Sequence, residues 1–459
     1  MGRFFGTNGV RIRFEGGYDI GFVVKFTEAI ATYLGSGDVL VGFDARTTSM
    51  PLVGLIYGTL TLHGIGVDVI GPIPTPIHQY LVKAWRYKGG IMVTASHNPP
   101  QYNGIKVMGS DGVEVDRPIE DEIESIYVNG RFKAPSSFDK VGRLSILNVE
   151  DGLREYREHL LSLIDTKPIE ARGFRIVADF ANSVTSIALP YVLRGLNVKV
   201  LSLNGHIDGL FPGRLPEPRP DTLREASSLV PEAGADLGVA FDGDGDRSMF
   251  IDERGEVIWG DRTGAILALS MLKRGDKVVT PVSSSIVVKW SVEGAGGQVV
   301  WTRVGSVDVS HTVVRLNALC GFEDNGGFIW PKHHPVRDGI ATTLLMLQTL
   351  ATERATLSSL NAKMPKMYSA RDRVEVDRSV ARLVTEELAK LDWGGEKVTI
   401  DGVRVNYADS WFLVRPSGTE DLLRIIVEAS SEASFNELRG RVMGKVNELV
   451  KKYAAKPYT

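Results

Sequence analysis

The chain of 459 residues has a formal net charge of -3, with 43% hydrophobic and 24% charged residues, the balance of a globular protein and not of a disordered tail or a basic nucleic-acid binder. No stretch reaches the ~18 uninterrupted apolar residues of a membrane span, and Met1 to Gly6 show no charged segment leading into an apolar run, so neither a membrane nor a secretory signal is expected. A lone cysteine, Cys320, excludes an intrachain disulfide and suits a reducing, cytoplasmic setting, and the length predicts about three or four domains.

In chain order, Phe5-Gly6-Thr7-Asn8-Gly9-Val10-Arg11 is a tight turn that ends in an arginine and says little alone. Residues 39–43 form an apolar run closed by Asp44; a helical stretch follows, and Gly64-Ile65-Gly66 leads into a second run at 67–70. The same order of strand, helix, glycine turn and strand returns at 174–201 and at 277–301. Such units read as βαβ crossovers in a mainly parallel sheet. Their spacing suggests three related α/β domains, although any α/β protein contains such units.

The run Gly90-Ile91-Met92-Val93 leads into Thr94-Ala95-Ser96-His97-Asn98-Pro99-Pro100. A strand entering Ser-His-Asn-Pro sets Ser96 on a sharp loop whose exit Pro99 stiffens. A serine there can be a nucleophile once activated, or can bond its own backbone in an ST-turn. Tyr102-Asn103-Gly104-Ile105-Lys106 then turns back. Lys106 reads as a solvated surface charge or, near a phosphate, as a clamp or proton carrier.

Asp242-Gly243-Asp244-Gly245-Asp246-Arg247 follows the apolar run 235–241. Carboxylates at i, i+2 and i+4 repel unless a cation sits among them, the glycines allow a tight fold, and hard oxygen donors suit Mg²⁺ or Ca²⁺. A solvated acidic turn is one alternative. Another is a Ca²⁺ EF-hand loop with Glu253 twelfth, against which stand Arg247 at the glycine position and the preceding strand. A third is an aspartyl-phosphate phosphotransferase with Asp242 as nucleophile. Downstream, Gly321-Phe322-Glu323-Asp324-Asn325-Gly326-Gly327 can hydrogen-bond sugar hydroxyls or be a polar surface turn. Last, Arg415-Pro416-Ser417-Gly418-Thr419-Glu420 lies between two strand-like runs and precedes an amphipathic stretch at 435–453, which predicts a smaller α+β domain. With Arg415 and Arg424 nearby, its backbone N–H groups and hydroxyls make a phosphate nest or an ordinary hairpin turn. Divisions are expected to give domains at 1–150, 151–255, 256–370 and 371–459.

Taken together in this order, Ser96 in Thr-Ala-Ser-His-Asn-Pro, the loop Asp242 to Arg247 and the loop Arg415 to Glu420 resemble the phosphohexomutase superfamily, most nearly its prokaryotic phosphoglucomutase/phosphomannomutase members. The resemblance implies four domains around a central cleft: three related α/β domains with mixed, mainly parallel sheets, and a last α+β domain that binds phosphate. It implies an isomerase that interconverts the 1- and 6-phosphates of glucose or mannose through a phosphoserine and a hexose 1,6-bisphosphate. Ser96 is then the phosphorylated nucleophile, with His97 beside it, and one Mg²⁺ is held by Ser96, Asp242, Asp244 and Asp246. Lys106, Arg11 and Arg247 surround the transferring group. Glu323 and Asn325 read two neighbouring hydroxyls, and Gly305 in Thr302-Arg303-Val304-Gly305 lies near the sugar. Arg415, Ser417, Gly418, Thr419 and Arg424 cradle the phosphate that is not reacting. A hexose phosphate is the expected partner, with no nucleic acid or membrane, in a cytoplasmic monomer or homodimer whose cleft closes about a hinge near 370. There are departures. Many relatives end the sugar loop in Ser-Gly-His, whose histidine is a proposed proton carrier; here Asn325-Gly326-Gly327 stands instead, leaving His333 or His334 to reach that space. Ser306 replaces an aspartate, and Ser183-Val184-Thr185-Ser186 replaces small glycine-rich residues.

Overall fold

The computed structural model describes residues 4–6, 8–15, 19–418 and 420–454. They build four domains, each around its own sheet, with strand orders that match three repeated α/β units and one different unit. The first sheet runs Val10–Arg13, Tyr102–Met108, Gly89–Val93, Asp38–Phe43, Gly66–Ile70, Leu144–Ile146. The second runs Val257–Ile258, Ser248–Ile251, Leu237–Phe241, Arg175–Asp179, Lys199–Leu203, and the third Gln298–Thr302, Lys277–Pro281, Cys320–Phe322, Phe328–Trp330, His334–Arg337. Each contains the parallel βαβ pair expected from the sequence. Helices cover both faces of such strands, so Gly66–Ile70 and Gly89–Val93 are buried along their whole length and show no alternation.

One device recurs in the three domains and positions everything that follows. Beside the parallel pair, a further parallel strand ends in a loop and returns as an antiparallel neighbour: Gly89–Val93 to Tyr102–Met108, Leu237–Phe241 to Ser248–Ile251, and Cys320–Phe322 to Phe328–Trp330. The three hairpin loops carry Ser96, the three aspartates and Glu323. All three lie at carboxyl ends of parallel strands, where open α/β sheets place their sites.

The fourth sheet, Tyr368–Glu375, Leu422–Ala429, Ser410–Pro416, Val403–Asn406, Glu396–Val398, is antiparallel throughout. Arg378–Lys390 and Glu432–Ala454 pack their apolar stripes on it through Val384, Leu388, Val442 and Val446. Pairing carries Val257–Ile258 into the second sheet and Tyr368 into the fourth, across the expected divisions at 255 and 370.

A continuous core joins the second and third domains and one face of the first, with the almost wholly buried helix Gly339–Thr352 at its centre. The fourth domain docks on the third through Arg404. This fully buried guanidinium lies between the rings of Trp301 and Trp411, at 4.0 and 3.8 Å, and donates to the carbonyls of Val282 and Ser284. Among the described residues, no helix is long and apolar enough to cross a membrane.

Candidate active site

Ser96 sits at the tip of the first hairpin loop with a positive φ of 51°, an uncommon conformation for a residue with a Cβ that its surroundings must hold. Arg46 holds it. Its buried guanidinium donates to the carbonyls of Ser96, Asn98, Pro99 and Tyr102 and pairs with Asp44 at 3.1 Å. Asp44 in turn accepts from Thr94 Oγ1 and Ser49 Oγ. The ST-turn considered for Ser96 is made by its neighbour: Thr94 Oγ1 accepts from the Ser96 N–H at 2.9 Å. The Ser96 hydroxyl is thereby left to donate to Asp242 Oδ2 at 2.7 Å, across the boundary between two domains. His97 Nδ1 lies 3.4 Å from the same Oγ. Burial first, then the charges of Arg247 and Arg11, push the His97 imidazole well below its ordinary range, so it is neutral at neutral pH.

Asp242, Asp244 and Asp246 are fully buried, and one oxygen of each lies within 4.8 Å of the others. Asp242 Oδ1 accepts from the N–H groups of Gly245 and Arg247, which aims the loop inward. Lys106, expected either on the surface or near a phosphate, is fully buried and donates to Asp244 at 2.8 Å and Asp246 at 3.1 Å. Burial works against its charge, but the two aspartates raise its pKa above the ordinary value. For Asp244 and Asp246 burial likewise opposes ionisation and the cations prevail, Lys106 on the first and Arg337 on the second. Asp242 makes no ion pair among the described residues, and burial followed by repulsion from Asp246 and Asp244 outweighs the pull of Arg247 and raises its pKa well above the carboxylate range. Asp244 Oδ1 and Asp246 Oδ1 are buried without a hydrogen-bond partner. Buried orphan carboxylate oxygens in a cluster fit a hard divalent cation. A solvated acidic turn does not fit this burial. The EF-hand alternative also fails: the loop closes between two strands, and Glu253 is taken by Ser358 on another segment.

Arg11 donates to Asn98 Oδ1 at 3.2 Å and is pushed down to about 10 by burial, against the pull of Asp244. Arg247 approaches Asp246 at 3.8 Å. Glu323 and Asn325 lie on the third hairpin loop; Glu323 is buried and accepts from Arg337, while Asn325 Oδ1 accepts from the Gly327 N–H. Gly305 precedes the helix Ser306–Leu316, and Ser306 Oγ accepts from Asn8 of the N-terminal turn. On the fourth domain, Arg415 pairs with Asp401 at 3.1 Å, and Asp401 also accepts from the Val304 N–H, joining this loop to the third domain. Arg424 pairs with Glu420, and the Ser417 hydroxyl accepts from the Glu420 N–H. Gly418 is half-buried beside them; Thr419 lies outside the described residues.

The structure corrects the histidine expectation. His333 pairs with Asp338 and packs among Tyr80, Tyr156 and His159, from the helices Thr75–Ala84 and Val149–Leu163. His334 is buried beside Gly112 and pushed down to about 3, by burial first. Neither ring serves the loop at Gly327. Sequence reasoning missed Arg46, Arg337 and Asp401; only Arg46, two residues after the strand-ending Asp44, stands where a local signal could have marked it.

Comparison with known proteins assigns all four domains. Residues 2–134, 154–255 and 259–368 match phosphoglucomutase/phosphomannomutase alpha/beta/alpha domains I, II and III, and 365–445 match the C-terminal domain of the same family. The phosphoglucosamine/phosphogalactosamine mutase of Sulfurisphaera tokodaii is 40% identical over 98% of this chain and 99% of its own length. The phosphoglucomutase/phosphomannomutase of Thermococcus kodakarensis is 36% identical over 95% and 97%. A crystal structure of a family protein from Burkholderia thailandensis shares the fold, with a TM-score of 0.84 at 24% identity over 98% of each chain. The chain therefore belongs to the phosphoglucomutase/phosphomannomutase family of the alpha-D-phosphohexomutase superfamily, whose members are intramolecular phosphotransferases.

Proposed function

We propose that this enzyme interconverts hexose 1-phosphates and hexose 6-phosphates, 2-amino sugars included, through a phosphoserine at Ser96. The observation that carries the reading is the Ser96 hydroxyl bonded to Asp242 at 2.7 Å, at the edge of a buried three-aspartate cluster. Glucosamine phosphate enters from the printed activity of the 40%-identical relative, and glucose and mannose phosphates from that of the 36%-identical one. A more distant protein of the same fold, the N-acetylphosphoglucosamine mutase of Aspergillus fumigatus, has a structure in complex with GlcNAc-6P and magnesium.

Phosphoryl transfer has a loose transition state, so catalysis is mainly positioning and charge neutralisation. Asp242, Asp244 and Asp246, with the Ser96 oxygen, would hold Mg²⁺, which supplies neutralisation of charge on the seryl phosphate when bound. Lys106, Arg11 and Arg247 offer fixed positive charge around the same phosphate. Ser96 gives its phosphoryl group to the free hydroxyl of the sugar phosphate, the resulting 1,6-bisphosphate turns over in the cleft, and its other phosphate returns to Ser96. Glu323 and Asn325 hold sugar hydroxyls, and Arg415, Ser417, Gly418, Thr419 and Arg424 hold whichever phosphate is not reacting.

The test is turnover of glucose 1-phosphate, mannose 1-phosphate and glucosamine 1-phosphate with Mg²⁺ and a trace of each bisphosphate, with peptide mass spectrometry on the native protein. Turnover and a phosphate on Ser96 are expected. A label on Asp242 released by hydroxylamine would replace the reading with an aspartyl-phosphate mechanism, and no turnover of any of the three would reject it.

A further inference from the structure

Arg337 does not figure in the chemistry above, yet it ties two of the three hairpin loops together. It is 5% exposed, lies on the strand His334–Arg337, and spends its guanidinium on two buried carboxylates. One arm donates to Glu323 Oε2 at 3.0 Å and the other to Asp246 Oδ2. Burial opposes its charge, but Asp246 and Glu323 hold it firmly protonated. Lys106 donates to the same Asp246 Oδ2 at 3.1 Å, so both cations take one oxygen, and Oδ1, 3.8 Å from Arg247 Nε, is buried without a hydrogen bond among the described residues.

A second, independent observation concerns space. A Cβ on Gly327 would stand 2.4 Å from Arg337 Cδ and 3.2 Å from Glu323 Oε2. The stem of Arg337 therefore fills the volume that any side chain at 327 would need. Gly327 has no left-handed φ to explain its glycine, in contrast to Gly326 with φ 88°, so steric room for Arg337 is the physical reason for a glycine there. The same crowding leaves no room at 327 for an imidazole.

We propose that Arg337 is the positioning residue for sugar recognition: it fixes Glu323 against the metal loop, so that the carboxylate meeting the sugar is set in register with the phosphoserine. The proposal rests on the mutase reading. A planar guanidinium can span two carboxylates, whereas an ammonium is a point charge. Removing it frees Glu323 to rotate and leaves two buried carboxylates short of a cation.

The experiment uses the full-length enzyme with three variants, Arg337→Lys, Arg337→Gln and Gly327→Ala. Steady-state kinetics on glucosamine 1-phosphate and glucose 1-phosphate are corrected for folded fraction by thermal unfolding. Arg337→Gln is expected to lower kcat/KM about 100-fold, with KM raised as well as kcat reduced. Arg337→Lys is expected to recover part of the loss. Gly327→Ala changes no charge but pushes the stem aside, and is expected to raise KM in the same sense. Calorimetric binding of glucosamine 6-phosphate to the EDTA-treated protein supplies a readout without turnover, expected to be about 10-fold weaker in Arg337→Gln. Unchanged KM and unchanged calorimetric affinity in Arg337→Gln, with only the folded fraction lowered, would overturn the proposal, as would a Gly327→Ala enzyme identical to wild type. A wild-type enzyme that neither binds nor turns over a hexose phosphate would instead defeat the mutase reading itself.

Discussion

The loop around Ser96 and the loop from Arg415 to Glu420, proposed above to serve the reacting and the unreacting phosphate, are built differently. At the first, the central groups are buried and tied together: Ser96 is 1% exposed, Asp242 and Lys106 are 0% exposed, and Arg46 clamps the loop through four carbonyls. At the second, Arg415 and Ser417 are buried, but Arg424 and Glu420 are an exposed pair, with side chains 44% and 49% accessible. The contrast teaches that bond making needs one fixed geometry, with the cost of burying charge offset by paired cations. On the proposed reading, holding a phosphate that arrives and leaves calls for cations whose internal partners can be displaced, as the exposed partner of Arg424 can.

Removing the nucleophile breaks the rigid side of this comparison. Ser96→Ala is expected to lower mutase turnover by at least about 10³-fold. The change removes the hydroxyl's bond to Asp242 and its 3.4 Å contact with His97, a cost of about 1–3 kcal/mol, and the protein is expected to stay folded. Coupled-assay kinetics together with a thermal melt check both halves. A variant retaining a tenth of wild-type activity would remove Ser96 from the chemistry.

A smaller effect is expected on the displaceable side. Arg415→Ala removes a charge-assisted contact to the unreacting phosphate, about 2–3 kcal/mol, and so lowers kcat/KM by roughly 10²-fold. Its Ser96 phosphate should persist by mass spectrometry, because the two loops lie on different domains. Loss of that phosphate would mean that both loops act on one phosphoryl group.

The smallest effect sharpens the contrast. Glu420→Gln frees Arg424 from an exposed ion pair of about 0.2–1 kcal/mol, so KM should fall by up to about five-fold at low salt. The gain should fade at high ionic strength, where exposed charges are screened. A KM that rises on this change would show that Glu420 supports the nest and does not compete with its ligand.

What could be read from the sequence follows from distance along the chain. The Ser96 loop and the aspartate loop are contiguous, and each announces its chemistry through residues a few positions apart. The βαβ pairs were readable for the same reason, as runs such as Gly66–Ile70 are continuously apolar. Arg337 was not readable: it lies 91 residues from Asp246, and its role exists only once two domains meet. Asp401 is similar, 97 residues from the Val304 amide it accepts from. The histidine expectation failed because nearness to Gly327 along the chain says nothing about direction, and the strand His334–Arg337 carries Arg337 to the loop while His334 packs beside Gly112.

The clamp at Arg404 gives the molecule an optical handle. A guanidinium between the rings of Trp301 and Trp411 keeps both indoles against charge, with Trp301 partly buried and Trp411 fully so. Any separation of the fourth domain from the third at this seam must wet Trp411, which is 0% exposed when docked, and shift its emission to longer wavelength. Intrinsic fluorescence would therefore report domain docking in real time, without a label. With Trp301→Phe and Trp411→Phe as references among the 7 tryptophans, the amplitude at this seam can be separated from the rest while hexose phosphate is titrated in.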